Sequence, residues 1–328
     1  MVRVPGASRV GVDAGHRDIV EAPRDPPHGP RTRKARRSAR KRRYVKRRTV
    51  AQCARVEGVG LFTGEPAAVE IVPADGGGVV FETPGGRVPA TIAHLDTTAV
   101  HPAFESMPPR NTSLSCGGAI VHTVEHLLAA LAGLGITDAI VRLSGPEPPI
   151  ADGSAALFAV PLLDAGLRDL PGEVGPVVPR ERIEVSGGGA SIVIEPADRA
   201  EYVYRLDYGP GSPVPAGEAR WDGSPASFAD EIAPARTFCL RAEAEAMHSM
   251  GLFEHLTPRE MLVFDTGGPV DNALRGDDEP AQHKLLDMIG DLALVGRPIR
   301  ARVVGTGSGH ALNHEAARRL ASLFSCDG

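Results

Sequence analysis

Apolar and polar residues alternate with a period of two over residues 68–72 and 78–82, as in strands with one buried face. Asp75, Gly76 and Gly77 between them are turn residues, so the two runs are expected to form a hairpin. At Thr123 the pattern changes: apolar residues recur at helical spacing to about Ala132, and Gly133 and Gly135 are stop signals. A strand over 138–143 and a second helix over 154–167, carrying Pro161, complete this half.

Prolines and glycines crowd the stretch PGEVGPVVPR, the best boundary signal in the chain. Beyond it the plan repeats. Strand-like runs at 182–185, 191–194 and 201–206 precede helical stretches near 240–250 and 281–295, and a strand over 298–304 and a helix over 315–324 follow. Strands followed by helices in each half predict an α+β fold of two units, 49–172 and 173–328, repeated in architecture without visible sequence identity.

Composition alters this picture chiefly at the N-terminus. Residues 1–48 carry 16 Lys and Arg against 4 Asp and Glu, and 12 of the 18 residues 31–48 are basic. With few large apolar side chains, this segment is expected to be a disordered basic tail: a solvated extension, a product of an early start codon, or a tether to nucleic acid or anionic lipid. Residues 49–328 hold 20 basic and 37 acidic side chains, so the folded part is too negative to favour nucleic acid. No apolar run approaches the roughly 18 residues of a membrane-spanning helix. Cys53, Cys116, Cys239 and Cys326 lie far apart, which argues against a zinc ribbon or a disulfide framework and fits the cytoplasm.

The strongest local signal is DDEPAQHKLLDMIGDLALVGRP. An acidic residue before Pro280 starts a helix, and Gly296 and Pro298 stop it. On that helix His283, Asp287 and Asp291 fall at i, i+4 and i+8 and form one polar row, either a solvated face or a pair of metal ligands one turn apart. The earlier helix places Glu125 and His126 among Val124, Leu127 and Leu128, with Thr123 a candidate cap. A carboxylate buried there unpaired would cost several kcal/mol, roughly, so a cation or bound water is expected beside it. His126, His283 and Asp287 supply the three ligands of a catalytic zinc site, and Glu125 the neighbouring general base. Lys284 is the one lysine after residue 48, set beside His283, where a compact cation would meet an anion. In GTGSGHALN a glycine-rich loop carries His310, which the glycines would let approach a cleft.

Taken in order, GVGLFTG (58–64), NTSL (111–114), TVEHLLAALAGLGI (123–136), PEPPIADGSA (146–155), ARTF (235–238), HKLLDMIGDL (283–292) and GSGHALN (307–313) resemble the UDP-3-O-acyl-N-acetylglucosamine deacetylase family. The likeness runs from about Thr49 to Phe324. It implies two β-α-α-β sandwich domains packed face to face, with the active site at their interface and an acyl-chain passage from an insert near 239–268. It further implies zinc, or ferrous iron, on His126, His283 and Asp287, with Glu125 activating the attacking water. His310 would be the imidazolium that stabilises charge or protonates the leaving amine, held so by Asp291. Thr237 would donate to the oxyanion, Phe238 would contact substrate, and Lys284 would meet the diphosphate. The implied reaction is loss of acetate from UDP-3-O-(3-hydroxyacyl)-N-acetylglucosamine in lipid A biosynthesis, by a cytoplasmic, monomeric enzyme.

The sequence departs from the family pattern at Phe62, where histidine is usual, at Gly276 and Gln282, and in the insert GLFEHLTPREMLVF. Within the insert, Ala242, Ala244, Ala246, Met247, Met250, Leu252, Phe253 and Leu256 could line the passage or form a core stripe. Two rival readings stand beside this one. His122 to His126 spells H-x-x-E-H, the inverted metalloprotease signature, which would make His122 a ligand. A binding module without metal, tethered by the basic tail, is the other.

Overall fold

In the computed structural model, which describes residues 44–258 and 261–325, the alternating runs of the first half become a five-stranded sheet. Its strands are β2 (Ala54–Val59), β3 (Pro66–Pro73), β4 (Val79–Thr83), β5 (Gly86–Pro89) and β9 (Ala139–Leu143), in the order β2-β3-β9-β4-β5. The expected hairpin is corrected here, because β3 and β4 are strands but do not pair. Strand β9 lies between them, antiparallel to β3 (Val69 opposite Leu143) and parallel to β4 (Val79 opposite Ala139). Asp138, just ahead of β9, accepts the Gly78 backbone N–H at 2.9 Å, so the turn is spread over the width of a strand and closed by the intruder. A small sheet of β6 (Leu95–Asp96), β7 (Ser113–Cys116) and β8 (Ala119–Val121) sits beside it.

The basic tail, expected over 1–48, lies outside the described residues up to 43, but residues 45–48 belong to strand β1 (Val45–Val50). It pairs antiparallel with β10 (Leu167–Val174), which runs through the proline- and glycine-rich stretch read as a boundary. Charge alone misled there: Arg47 pairs with the buried Asp138, Lys46 with Asp169 at 2.6 Å, and Val50 is fully buried.

The second half repeats the first sheet strand for strand. Strands β11 (Ile183–Gly187), β12 (Ala190–Pro196), β13 (Glu201–Leu206) and β14 (Gly217–Trp221) are joined, after an insert bearing β15 (Phe238–Leu240), β16 (Leu262–Asp265) and β17 (Gly268–Pro269), by β18 (Ala301–Thr306). The order is β11-β12-β18-β13-β14, with the last strand again central, antiparallel to β12 and parallel to β13. The α+β class is therefore observed, with a matching five-stranded sheet in each half. Its longer helices among the described residues are α1 (Glu125–Gly133), α2 (Ala156–Asp164), α3 (Arg241–Ser249), α4 (Glu279–Ala293) and α5 (His310–Ser325). Helix α5 begins at His310, five residues before the expected start at Glu315, which moves that histidine from loop to helix N-terminus.

The two halves meet through α1 and α4. Leu127, Leu128 and Leu131 of α1 and Leu285, Met288, Ile289 and Leu292 of α4 are at most 3% exposed. The contact is tight where Gly290 faces the start of α1: a Cβ at position 290 would stand 2.0 Å from the Glu125 carbonyl oxygen. Backbone cannot yield as a flexible side chain does. Gly290→Ala is therefore expected to destabilise the protein by about 1–3 kcal/mol or more, as overpacking does. Denaturant unfolding checks this, and an unchanged midpoint would mean that the helices have room to spare.

Candidate metal and catalytic centre

Close approach at Gly290 brings the first turn of α1 against the middle of α4, and with it the polar groups that both helices carry. His283, Asp287 and Asp291, which could have formed a solvated row, are only 2%, 3% and 0% exposed. His126 Nε2 lies 3.2 Å from His283 Nε2 and 3.5 Å from Asp287 Oδ1, and His283 Nε2 lies 3.7 Å from the same oxygen. Ligand atoms about 2.1 Å from a tetrahedral ion stand about 3.4 Å apart, so this triangle has the size of one face of such a site. Asp287 Oδ1 is buried and has no hydrogen-bond partner among the described residues, as expected of an atom that faces a cation. The donor set of two imidazoles and a carboxylate suits zinc or ferrous iron.

Lys284 turns out to be tied to this group. Its Nζ donates to Asp287 Oδ2 at 2.7 Å and lies 5.8 Å from the centre of the Phe238 ring, which itself stands 6.0 Å from the His283 ring. Burial works against the Lys284 charge, but the Asp287 carboxylate outweighs it and the ammonium pKa is raised. Glu125 opens α1 and is 3% exposed, with Oε2 accepting the Thr112 N–H at 2.9 Å. Burial raises its carboxyl pKa, opposed by the neighbouring His310 and His126. Thr123 is not the cap expected of it: its backbone is left-handed at φ 55°, and its buried hydroxyl has no partner among the described residues.

Asp291 is the hub of a second cluster. Its Oδ2 accepts from His310 Nδ1 and Asn313 Nδ2, each at 2.8 Å, and its Oδ1 takes a short hydrogen bond from the Thr112 hydroxyl. His310 is 6% exposed. Burial alone would pull its pKa down; the Asp291 carboxylate reverses that and lifts it to about 9. Asp291 is held well below the carboxylate range, because His310 and His314 overcome the cost of its burial.

Phe238 is set beside His283 and Lys284 by a segment that a buried ion pair anchors, a pair that sequence reasoning missed. Arg236 Nε donates to Glu279 Oε1 at 2.8 Å and Nη2 to Oε2 at 3.0 Å, which fastens the ARTF segment to the head of α4. Thr237 N–H donates to the Gly153 carbonyl at 2.9 Å, and a Cβ on Gly153, at φ 75°, would stand 2.5 Å from Thr237 Cγ2. The ARTF and IADGSA motifs are therefore one contact. Strand β15 then carries Cys239 into the lining of a cavity of about 390 Å³, walled by Leu61, Phe62, Phe104, Met247, Phe253 and Leu256. Ala244, Met247, Phe253 and Leu256 line it as the insert pattern allowed, whereas Met250 points out at 47% exposure. Phe62 packs its ring on Phe104 and Phe253, with centroids 5.8 and 5.4 Å away. A larger cavity of about 620 Å³ touches the other flank of the helix pair at Leu128, Leu131, Ile289 and Leu292, and none of the candidate metal or acid–base residues lines it.

His122 is not drawn into the metal group. Its Nδ1 is 2.8 Å from Ser113 Oγ, and the clustered donors are His126, His283 and Asp287, which counts against the H-x-x-E-H reading. Thr112, Asn313 and His314 were not singled out from sequence. A helix starting at His310 would have signalled the last two, at i+3 and i+4.

Residues 47–322 match the family UDP-3-O-acyl N-acetylglycosamine deacetylase. The chain is 37% identical over 283 residues to the UDP-3-O-acyl-N-acetylglucosamine deacetylase of Anaeromyxobacter dehalogenans, covering 83% of this chain and 86% of that one. It is 36% identical over 282 residues to the enzyme of that name from Myxococcus xanthus, covering 85% and 87%. The Chlamydia caviae enzyme of that name is 35% identical over 283 residues, covering 84% and 97%. The chain belongs to this family, and it is a deacetylase of lipid A biosynthesis.

The Asp291–His310 pair makes a measurable claim. The His310 ring should titrate near 9 by nitrogen NMR, and Asp291→Asn should move the midpoint down. Because the folded value is raised, its contribution to stability is fully present below the ordinary 6.5 and lost as pH climbs through about 9. A ring that titrates at 6.5 would break the assignment.

Proposed function

We propose, on the premise of that membership, that the chain hydrolyses the N-acetyl group of UDP-3-O-(3-hydroxyacyl)-N-acetylglucosamine with a zinc ion, or ferrous iron, on His126, His283 and Asp287. The observation that carries this reading is the buried triangle of donor atoms with its unpartnered Asp287 oxygen. When bound, the ion polarises the acetyl carbonyl and makes the attacking water more acidic.

The remaining work falls to side chains. Glu125, with its basicity raised by burial, takes a proton from water as the oxygen adds to the carbonyl carbon. Thr237 offers its hydroxyl to the oxyanion. His310, kept protonated by Asp291, stabilises the developing charge and gives its proton to the glucosamine nitrogen as the C–N bond breaks, leaving acetate and a free amine. Lys284 spends one of its three donors on Asp287, and the others are free to meet the substrate diphosphate. Phe238 packs against the sugar side of the centre, and the cavity beyond Cys239 takes the acyl chain.

The enzyme acts in the cytoplasm as a monomer in this reading, with a UDP-linked acylated glucosamine as partner and no nucleic acid bound to the folded part. Among the described residues no helix is long and apolar enough to cross a membrane. The unit boundaries near 172 and 173 are part of the same proposal.

Elemental analysis of the purified chain should find about one zinc or iron, lost in His283→Ala and retained in His122→Ala. Release of acetate from the UDP-sugar should fall by about 10²- to 10⁴-fold in Glu125→Ala and His310→Ala with metal retained. Near-native turnover in either variant would remove the acid–base roles, and a metal without acetate release would remove the substrate.

A further inference from the structure

Thr112 touches both proton-handling arms of the centre. It is fully buried in the segment leading into β7, so it comes from the first half of the chain, whereas Asp291, His310 and His314 come from the second. Its backbone N–H donates to Glu125 Oε2 at 2.9 Å, and its hydroxyl bonds to Asp291 Oδ1. His314 Nε2 lies 2.8 Å from the same hydroxyl oxygen, with its ring 4% exposed and stacked on His310 at a centroid distance of 6.1 Å.

Donor and acceptor capacities leave one arrangement. A threonine hydroxyl has one proton and two lone pairs, and an ionised carboxylate only accepts. The Thr112 proton therefore goes to Asp291, and His314 must be the donor to Thr112, with its proton on Nε2. The other Asp291 oxygen is filled by His310 Nδ1–H and Asn313 Nδ2–H. Every bond in the chain then points towards Asp291, and His310 is left with Nε2–H as the proton it can deliver. With both of its oxygens taken, the buried Asp291 carboxylate is held in one orientation. Losing the hydroxyl would free His314 to compete for Asp291 Oδ1, which is 3.5 Å from its Nε2.

We propose that Thr112, with its hydroxyl oriented by His314, is a positioning residue for the deacetylation, holding the Glu125 carboxylate and the Asp291–His310 pair at one fixed spacing. This rests on the acid and base roles proposed above. Thr112 does not reach the reacting atoms; it acts through the groups that do.

Thr112→Val keeps the shape and the backbone N–H but removes the hydroxyl, whereas Thr112→Ser keeps the hydroxyl. In the metal-loaded enzyme, kcat should fall by roughly 10- to 100-fold in Thr112→Val with KM unchanged and full metal content, since small misplacements of catalytic groups cost that much. Thr112→Ser should restore most of the rate. His314→Leu should lower kcat in the same sense, and the double variant should be no slower than Thr112→Val, because both act through one bond. Wild-type kcat in Thr112→Val, or equal losses in the valine and serine variants, would overturn the proposal. If Thr112→Val does not fold, His314→Leu decides alone: reduced kcat with full metal and unchanged KM supports the role, and wild-type kcat ends it. Should Glu125→Ala and His310→Ala lose activity while Thr112→Val does not, only this inference fails and the proposed reaction stands.

Discussion

The centre depends on how close two helices can come. Gly290 lets the backbone of α1 lie against α4 where any side chain would collide with the Glu125 carbonyl, and the first turn of α1 is where Glu125 and His126 sit. A wider helix spacing would carry His126 away from His283 and Asp287. The glycine costs some helix propensity in α4, offset by the burial that the close packing gives to Leu127, Leu131, Ile289 and Leu292.

Electrostatics around that contact are divided in two. On one side, two imidazoles and the Asp287 carboxylate face one another with an oxygen that has no partner among the described residues, an arrangement that could hold a cation. On the other, Asp291 is saturated by hydrogen-bond donors and serves to keep His310 charged. Two carboxylates one helical turn apart thus have different partners: a lysine and two imidazoles around Asp287, hydrogen-bond donors on both oxygens of Asp291. Lys284 belongs to the first side, where its bond to Asp287 fixes the carboxylate's orientation, as an outer partner of a metal ligand does.

Duplication of the sheet plan explains where these groups lie. Each half ends its sheet with a central strand, β9 or β18, that is parallel to one neighbour and antiparallel to the other. Such a strand comes from far along the chain, so local alternation around Asp75 to Gly78 looked like a hairpin when the pairing partner was sixty residues away. The insert bearing β15 then departs from the repeat and sets Phe238 beside His283, with Cys239 in the wall of the apolar cavity.

Helical periodicity, stop signals and buried carboxylates exposed the α+β class, helices α1 and α4, and the metal-ligand candidates His126, His283 and Asp287 directly in the sequence, because each is a property of neighbours within one or two turns. The polar row and the glycine-rich loop also offered Asp291 and His310, and the order of motifs added their roles, Thr237 and the family. Tertiary structure alone decided whether the row on α4 was solvated or buried, that β9 parts β3 from β4, that residues 45–48 join a sheet, and that α5 starts at His310. It alone brought Thr112 to Asp291 across 179 residues and Arg236 to Glu279 across 43. Those contacts were hidden because hydrogen bonds between distant segments leave no periodic trace: a buried threonine reads like any other until the group it bonds is known.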